Sequence, residues 1–318
     1  MTTPTLDFIS ALITASDLRS AGEDSRAYRR DVERGRLVRV RRGVYLPNEI
    51  WAALDPRDRW VARMWAFQLT AERVYVFSHE SAARLHGLPL LPDADKRLSI
   101  AVSQQEGARA DGDLRRRPLQ LAPKDIELVR GLLVTSVART VVDLAGALSF
   151  PAGVIVADAG LRNGTTSRDD YEQASQAAAL QRVSRKVRRV IDFADALADS
   201  PGESLSRAVI HEAGFPAPLL QQSFRDERGL IGVVDFWWPD HRLIGEFDGR
   251  IKYQSGRFEG TPDDRLWKEK LREDRLRAQH TAIARWIWSD AMAPALLAYE
   301  LTRHGLPTTQ VHRGRPSR

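Results

Sequence analysis

Two apolar runs, Leu230–Trp238 and Leu243–Asp248, flank the turn sequence Pro239-Asp240-His241-Arg242 and predict an antiparallel hairpin. Centred between Asp240 and His241, it sets Asp235 opposite Glu246. Asp248 follows Glu246 on the same face, because strand side chains alternate. Near the N-terminus, Thr14 with Asp17 caps a short helix and Gly22 marks a turn. Ser25 caps a second helix over Arg26–Arg34, with Tyr28 and Val32 as its inner stripe and Gly35 at its end. Leu37–Tyr45 alternates as a small hairpin around Arg41–Gly43. Helix, turn, basic helix and basic hairpin form the pattern of a winged helix-turn-helix.

The middle of the chain predicts a helix from Asp55-Pro56 carrying Trp60, Met64, Trp65 and Leu69, then a strand over Arg73–Phe77. A helix capped by Ser78 runs to Gly87, and a strand over Leu98–Val102 leads into a polar loop reaching Arg116. A strand at Leu132–Val134 precedes helices at Val137–Ala147, Pro151–Arg162, Arg168–Leu180 and Arg185–Leu197. Towards the C-terminus, Ser200 opens a helix to Ala213. Pro262–Gln279 is a charged helix with Trp267, Leu271 and Ala278 as its apolar stripe. A strand over Thr281–Trp288 and a helix from Ser289 to Arg303 complete the order. The pattern is that of an α+β multidomain chain. A winged helix-turn-helix spans 1–51, a middle α/β domain 52–198 and an α/β domain with a mixed sheet 199–305, and 306–318 form a mobile basic tail.

Composition narrows the chemistry. With 43% hydrophobic residues the chain can bury packed cores. The absence of cysteine excludes disulfides, thiol nucleophiles and Cys-type zinc sites, and fits a reducing compartment. The first residues lack the pattern of a signal peptide, and no apolar run is long enough to span a bilayer, so a cytoplasmic protein without membrane partners is expected. Between Arg26 and Arg42 stand Arg26, Arg29, Arg30, Arg34, Arg36, Arg39, Arg41 and Arg42 against only Asp31 and Glu33. That surplus equals the net charge of the whole chain, +6. Such a patch attracts phosphates, and its helix-plus-wing setting favours duplex DNA over RNA or a partner protein.

The acidic hairpin is the other concentration of chemistry. Three like charges on one face repel, and a hard divalent cation, Mg²⁺ or Mn²⁺, gives a reason to gather them. An exposed acidic edge that keeps the hairpin soluble is the alternative. Lys252 stands four residues beyond Asp248, with Gly249 between them. Ser200 and Glu203 make a capping box with Pro201 at the first helical position, which needs no metal. His79 and the i,i+4 pair Arg139–Asp143 fit folding roles. Walker A, G-x-G-x-x-G, G-x-S-x-G and H-E-x-x-H motifs are absent.

Asp235, Glu246-Phe247-Asp248-Gly249 and Lys252-Tyr253 resemble the PD-(D/E)XK nuclease superfamily over Ser200–Leu301, in particular the branch related to very short patch repair endonucleases. The resemblance implies a restriction-endonuclease-like fold and phosphodiester hydrolysis with Mg²⁺ or Mn²⁺. Asp235, Glu246 and Asp248 would be metal ligands, and Lys252 and Glu203 would complete the catalytic set. The superfamily pattern has lysine where this chain has Asp248, so either Lys252 takes that role or catalysis is lost. The tract ERGRLVRVRRGVY, with SHESAARLHGLP and VTSVARTVVDLA, resembles AbiEi-type antitoxins. That implies a DNA-binding regulator with a toxin protein as partner. Three functions follow as expectations: a metal-dependent DNA endonuclease, a non-enzymatic antitoxin-like regulator on a degenerate nuclease fold, and an RNA-directed nuclease.

Overall fold

The computed structural model describes residues 7–20, 25–178, 184–249, 262–279 and 281–308, without the side chains of 7, 18, 19, 25–27, 184 and 262–266. The chain is an α+β protein of two compact units, Met1–Ala147 with Thr166–Val187, and Leu148–Thr165 with Arg188–Arg318.

The first unit opens with α1 (Asp7–Ser10), β1 (Ile13–Thr14), α2 (Ala15–Ser20), α3 (Ser25–Glu33), β2 (Leu37–Arg41) and β3 (Val44–Pro47). The strands make an antiparallel sheet in the order β1-β3-β2, with Arg39 opposite Tyr45. Thr14 and Asp17 cap α2 reciprocally: each backbone N–H donates to the other's side chain, at 2.9 and 3.2 Å. Gly43, at φ 79°, supplies the left-handed residue of the β2–β3 turn. Val44 and Leu46 are buried with Leu12 and Ala66, and Tyr28 of α3 packs its ring 5.8 Å from that of Tyr45.

The unit continues with α4 (Asn48–Ala53), α5 (Pro56–Thr70), α6 (His79–His86), β4 (Leu98–Val102), β5 (Arg109–Asp111), β6 (Leu114–Pro118), β7 (Ile126–Val129), β8 (Leu132–Thr135) and α7 (Val137–Ala147). Asp55 caps α5 by accepting from the Asp58 N–H at 2.7 Å, with Pro56 in the first turn, and Gly87 closes α6 at φ 74°. Arg73–Phe77 is not the expected strand: only Phe77 bridges, to Ile100 and Val134. The Gln68 amide takes the backbone groups a ladder would use, donating to the Arg73 carbonyl and accepting from the Tyr75 N–H, both at 3.0 Å. The polar loop expected up to Arg116 holds β5 and β6, joined through Gly112 at φ 57°; their charged, partly exposed residues hide the strand period.

The next helix, α8 (Phe150–Arg162), belongs to the second unit; α9 (Arg168–Ala177) returns to the first, and α10 (Ser184–Phe193) carries the change at Val187. The second unit then contains α11 (Pro201–Glu212), β9 (Leu219–Asp226), β10 (Gly229–Trp238), β11 (Leu243–Phe247), α12 (Pro262–Arg277), β12 (Ala282–Trp286), α13 (Trp288–Ala291) and α14 (Pro294–Arg303). Its mixed sheet runs β12-β11-β10-β9, with β11 and β12 parallel and the other pairs antiparallel. The partly exposed edge strand β9 lacks a continuous apolar face and was not expected from the sequence. The single helix expected from Ser289 is two, since Pro294 starts a new one. Beneath the sheet, Arg207 of α11 grips Asp158 of α8 with two bonds of 2.9 Å, and Trp286 donates to the Ser206 hydroxyl at 2.8 Å. Among the described residues no helix is long and apolar enough to cross a membrane.

Candidate functional site

Helix α3 and strands β2 and β3 carry the arginines of the first unit. Tyr28 turns one face of α3 inward, so Arg29, Arg30 and Arg34 project to solvent; Arg39 does so from β2 and Arg42 from the turn. Three of the eight are committed within the unit. Arg29 bridges Glu33 one turn away at 3.2 Å, and Arg36 bridges Asp31. Arg41 reaches Asp113 at 2.5 Å and lies over the Phe67 ring, 5.0 Å from its centroid. Arg30, Arg34, Arg39 and Arg42 form no ion pair among the described residues. The side chain of Arg26 lies outside the described residues.

In the second unit the hairpin has the register set by its turn. Phe236 pairs with Gly245, Trp237 with Ile244 and Trp238 with Leu243, so Asp235 comes next, opposite Glu246. Arg242 makes the turn at φ 45°, a left-handed conformation uncommon outside glycine. Beyond Phe236 the Asp235 side chain replaces the ladder, its Oδ2 accepting from the Phe247 N–H at 2.8 Å. Asp235, Glu246 and Asp248 line one groove of about 1280 Å³ between the sheet and α12, with Ile231, Val233 and Leu271 among its apolar walls.

Two arginines define the electrostatics of that groove. Arg272 of α12 holds the buried Glu246 in a fork, with N–H···O distances of 2.6 and 3.3 Å. Arg285 of β12 stands beside Glu246 in the parallel register and reaches it at 3.2 Å, Asp248 at 3.6 Å, Glu269 at 2.8 Å and Glu273 at 3.4 Å. Burial works against the charge of Arg285. The hydrogen bond to Glu269 and the charges of Glu246 and Asp248 outweigh burial and hold the guanidinium above its ordinary range. Arg272 shows the same balance, burial opposing and Glu246 prevailing. Two of the three hairpin carboxylates, Glu246 and Asp248, thus meet guanidinium groups from within the chain, and Asp235 meets a backbone N–H.

A Mg²⁺ or Mn²⁺ ion at this face would need carboxylate oxygens free to coordinate it. Both oxygens of Glu246 are engaged by guanidinium groups and Oδ2 of Asp235 by a backbone N–H. Among the described residues no group of three or more His, Asp or Glu side chains is disposed to hold a metal ion. As arranged, Glu246 and one oxygen of Asp235 face protein donors, and Asp248 stands 3.6 Å from Arg285. Glu203 is not among the groove's lining residues. Its carboxylate is buried and fully used, accepting from the Asp199 N–H at 2.9 Å, the Ser200 hydroxyl at 2.8 Å and the Gln221 amide at 2.8 Å. That is the capping alternative. Lys252 and Tyr253 lie outside the described residues, as does the tail from 309 onward.

Arg272, Arg285 and Glu269 escaped the reading of the sequence. The spacing of Glu269, Arg272 and Glu273 on one helix was the available signal. It was masked by the apolar stripe of Trp267 and Leu271, which proves to be 60% and 45% exposed, while Leu276 is fully buried. His79 and the Arg139–Asp143 pair are buried in the first unit. Arg139 holds Asp143 at 3.0 Å and Asp125 at 3.2 Å, and burial, with three nearby arginines, pulls His79 well below the usual histidine range.

No protein-family model matches the chain. Two curated relatives do: the uncharacterized protein MT2308 of Mycobacterium tuberculosis (strain CDC 1551 / Oshkosh) and the uncharacterized protein Rv2248 of Mycobacterium tuberculosis (strain ATCC 25618 / H37Rv). Each is 31% identical over 245 residues, covering 76% of this chain and 84% of the relative.

Proposed function

The chain belongs to the family of the mycobacterial proteins MT2308 and Rv2248, and we propose that it is a cytoplasmic, duplex-DNA-binding regulator whose C-terminal unit is a nuclease-like scaffold without hydrolytic activity. The observation that carries this reading is a contrast between two charged regions. Arg30, Arg34, Arg39 and Arg42 face solvent with no ion pair among the described residues, whereas Glu246 is bridged by Arg272 and Arg285. The β1-α2-α3-β2-β3 order, with β1 closing on β3, supports a winged helix-turn-helix. In such a module α3 reads the major groove and the β2–β3 turn touches the backbone. The antitoxin resemblance adds a toxin protein as partner.

One observation favours hydrolysis as a second reading: Asp235, Glu246 and Asp248 converge on one groove, as the PD-(D/E)XK resemblance requires. Plasmid nicking in Mn²⁺, comparing the parent with Asp235→Asn, separates the two. The regulator reading expects no nicking above background from either protein. Nicking by the parent that disappears in Asp235→Asn would establish the endonuclease instead.

A further inference from the structure

Positive charge in the first unit extends beyond the arginine-rich segment. On α5, Trp60 carries two guanidinium groups over its ring, Arg63 at 4.3 Å and Arg84 at 4.0 Å from the centroid. Both are partly buried. Among the described residues each donates to backbone carbonyls: Arg63 to Lys96 at 3.4 Å, Arg84 to Glu80 at 3.3 Å and Asp95 at 2.9 Å. The acids nearby are already taken by other arginines. Asp95 is bridged by Arg97 and Arg115 at 2.8 Å each, Glu80 by Arg117 at 3.3 Å, and Asp113 by Arg41 at 2.5 Å. Arg63 and Arg84 are the surplus, and neither forms an ion pair among the described residues.

A partly desolvated guanidinium without a carboxylate is costly, and an external anion relieves the cost. Burial holds both arginines below their ordinary range, against the opposing charges of Asp113 at Arg63 and of Glu80 and Asp95 at Arg84; Arg41 adds to the lowering at Arg63, and Arg63 to that at Arg84. Stacking on Trp60 also fixes the planar forks, so little side-chain freedom remains to be lost when a phosphate arrives. Lys96, whose carbonyl accepts from Arg63, is exposed.

We propose that Arg63 and Arg84, stacked on Trp60 with Lys96 beside them, form a second phosphate-binding patch, so that duplex DNA held by the N-terminal arginines also contacts α5. The patch rests on the DNA-binding reading and adds a contact which that reading does not require. Because α5, which carries Arg63, packs against β2, the patch borders that strand and can share one duplex with it.

The test is the salt dependence of binding by the full chain to a duplex of about three helical turns, followed by fluorescence anisotropy. Each lost phosphate contact lowers the log–log slope by about 0.9. Lys96→Gln should lower it by that amount, the double variant Arg63→Gln/Arg84→Gln by about twice as much, and Arg63→Lys, which keeps the charge, should retain the parent slope. If Lys96→Gln and the double variant keep the parent slope while Arg42→Gln lowers it, the patch is refuted and the DNA-binding reading stands. If Arg42→Gln also keeps the parent slope, both fall. Should the double variant melt below the assay temperature, the exposed Lys96→Gln decides alone.

Discussion

Arg41 and Asp113, 72 residues apart in sequence, meet at 2.5 Å, and Arg41 also lies over Phe67. The structure therefore divides an arginine tract that looks uniform in sequence. Arg41 anchors the β2–β3 hairpin to the body of the first unit, and its neighbours Arg39 and Arg42 remain free to meet phosphate. Arg41→Ala should lower stability by about 1 kcal/mol, and Asp113→Asn should reproduce much of that loss. In DNA-binding titrations Arg41→Ala should leave the salt slope unchanged, while Arg39→Ala lowers it by about 0.9. Equal slope changes for the two variants would assign Arg41 to the interface.

Glu246 should behave as a structural anion. Its removal leaves Arg272 and Arg285 without their shared partner, so Glu246→Gln should cost about 2 kcal/mol in chemical denaturation. Mn²⁺ or Mg²⁺ at millimolar concentration should not raise the melting temperature of the parent, because a bound ion stabilises only where ligands are free to take it. A metal-dependent rise that disappears in Glu246→Gln would contradict the arginine-bridged arrangement.

The hairpin was legible because everything that fixes it is local. Turn residues set the register, the period of two sets the face, and Asp235 and Glu246 follow. The same holds for the Thr14–Asp17 cap and for α7, each specified within a few residues. The compensation of the acidic face was not legible, because Arg272 lies 26 residues from Glu246 and Arg285 arrives on another strand. Helix α12 was misread for the same reason. Its apolar stripe suggested that Trp267 and Leu271 face inward, but the demand of Glu246 for a guanidinium turns Arg272 and Leu276 to the sheet. Edge strands such as β5 and β9 stayed hidden because their exposed faces carry polar residues.

Gly202 offers a test of how α11 meets the hairpin. A Cβ there would lie 2.0 Å from the Phe247 ring, which is itself held edge-on by Trp288 at 5.4 Å. Gly202→Ala must displace that ring and should cost about 3 kcal/mol in denaturant unfolding. A loss below about 0.5 kcal/mol would mean that the helix does not start against Phe247.

Asp143 gives the first unit a distinctive pH response. Burial pushes its carboxyl up from 3.8 to about 6, against the charge of Arg139, and its second oxygen has no hydrogen-bond partner. The folded state therefore holds this proton to higher pH than the unfolded state. The stability contribution is fully present below 3.8 and is lost as pH rises through about 6. Relative to Asp143→Asn, the parent should lose melting temperature between those two values. A difference between the two proteins that stays constant across this window would contradict the assignment.

A mobility-shift titration of an end-labelled duplex by the full chain in Mn²⁺ tests the central claim most directly. The account predicts a retarded duplex recovered at full length. Replacing Arg30, Arg34, Arg39 and Arg42 together by Gln should weaken retardation by at least about a hundredfold. A duplex cleaved in Mn²⁺, or one retarded equally well by the four-arginine variant, would contradict it.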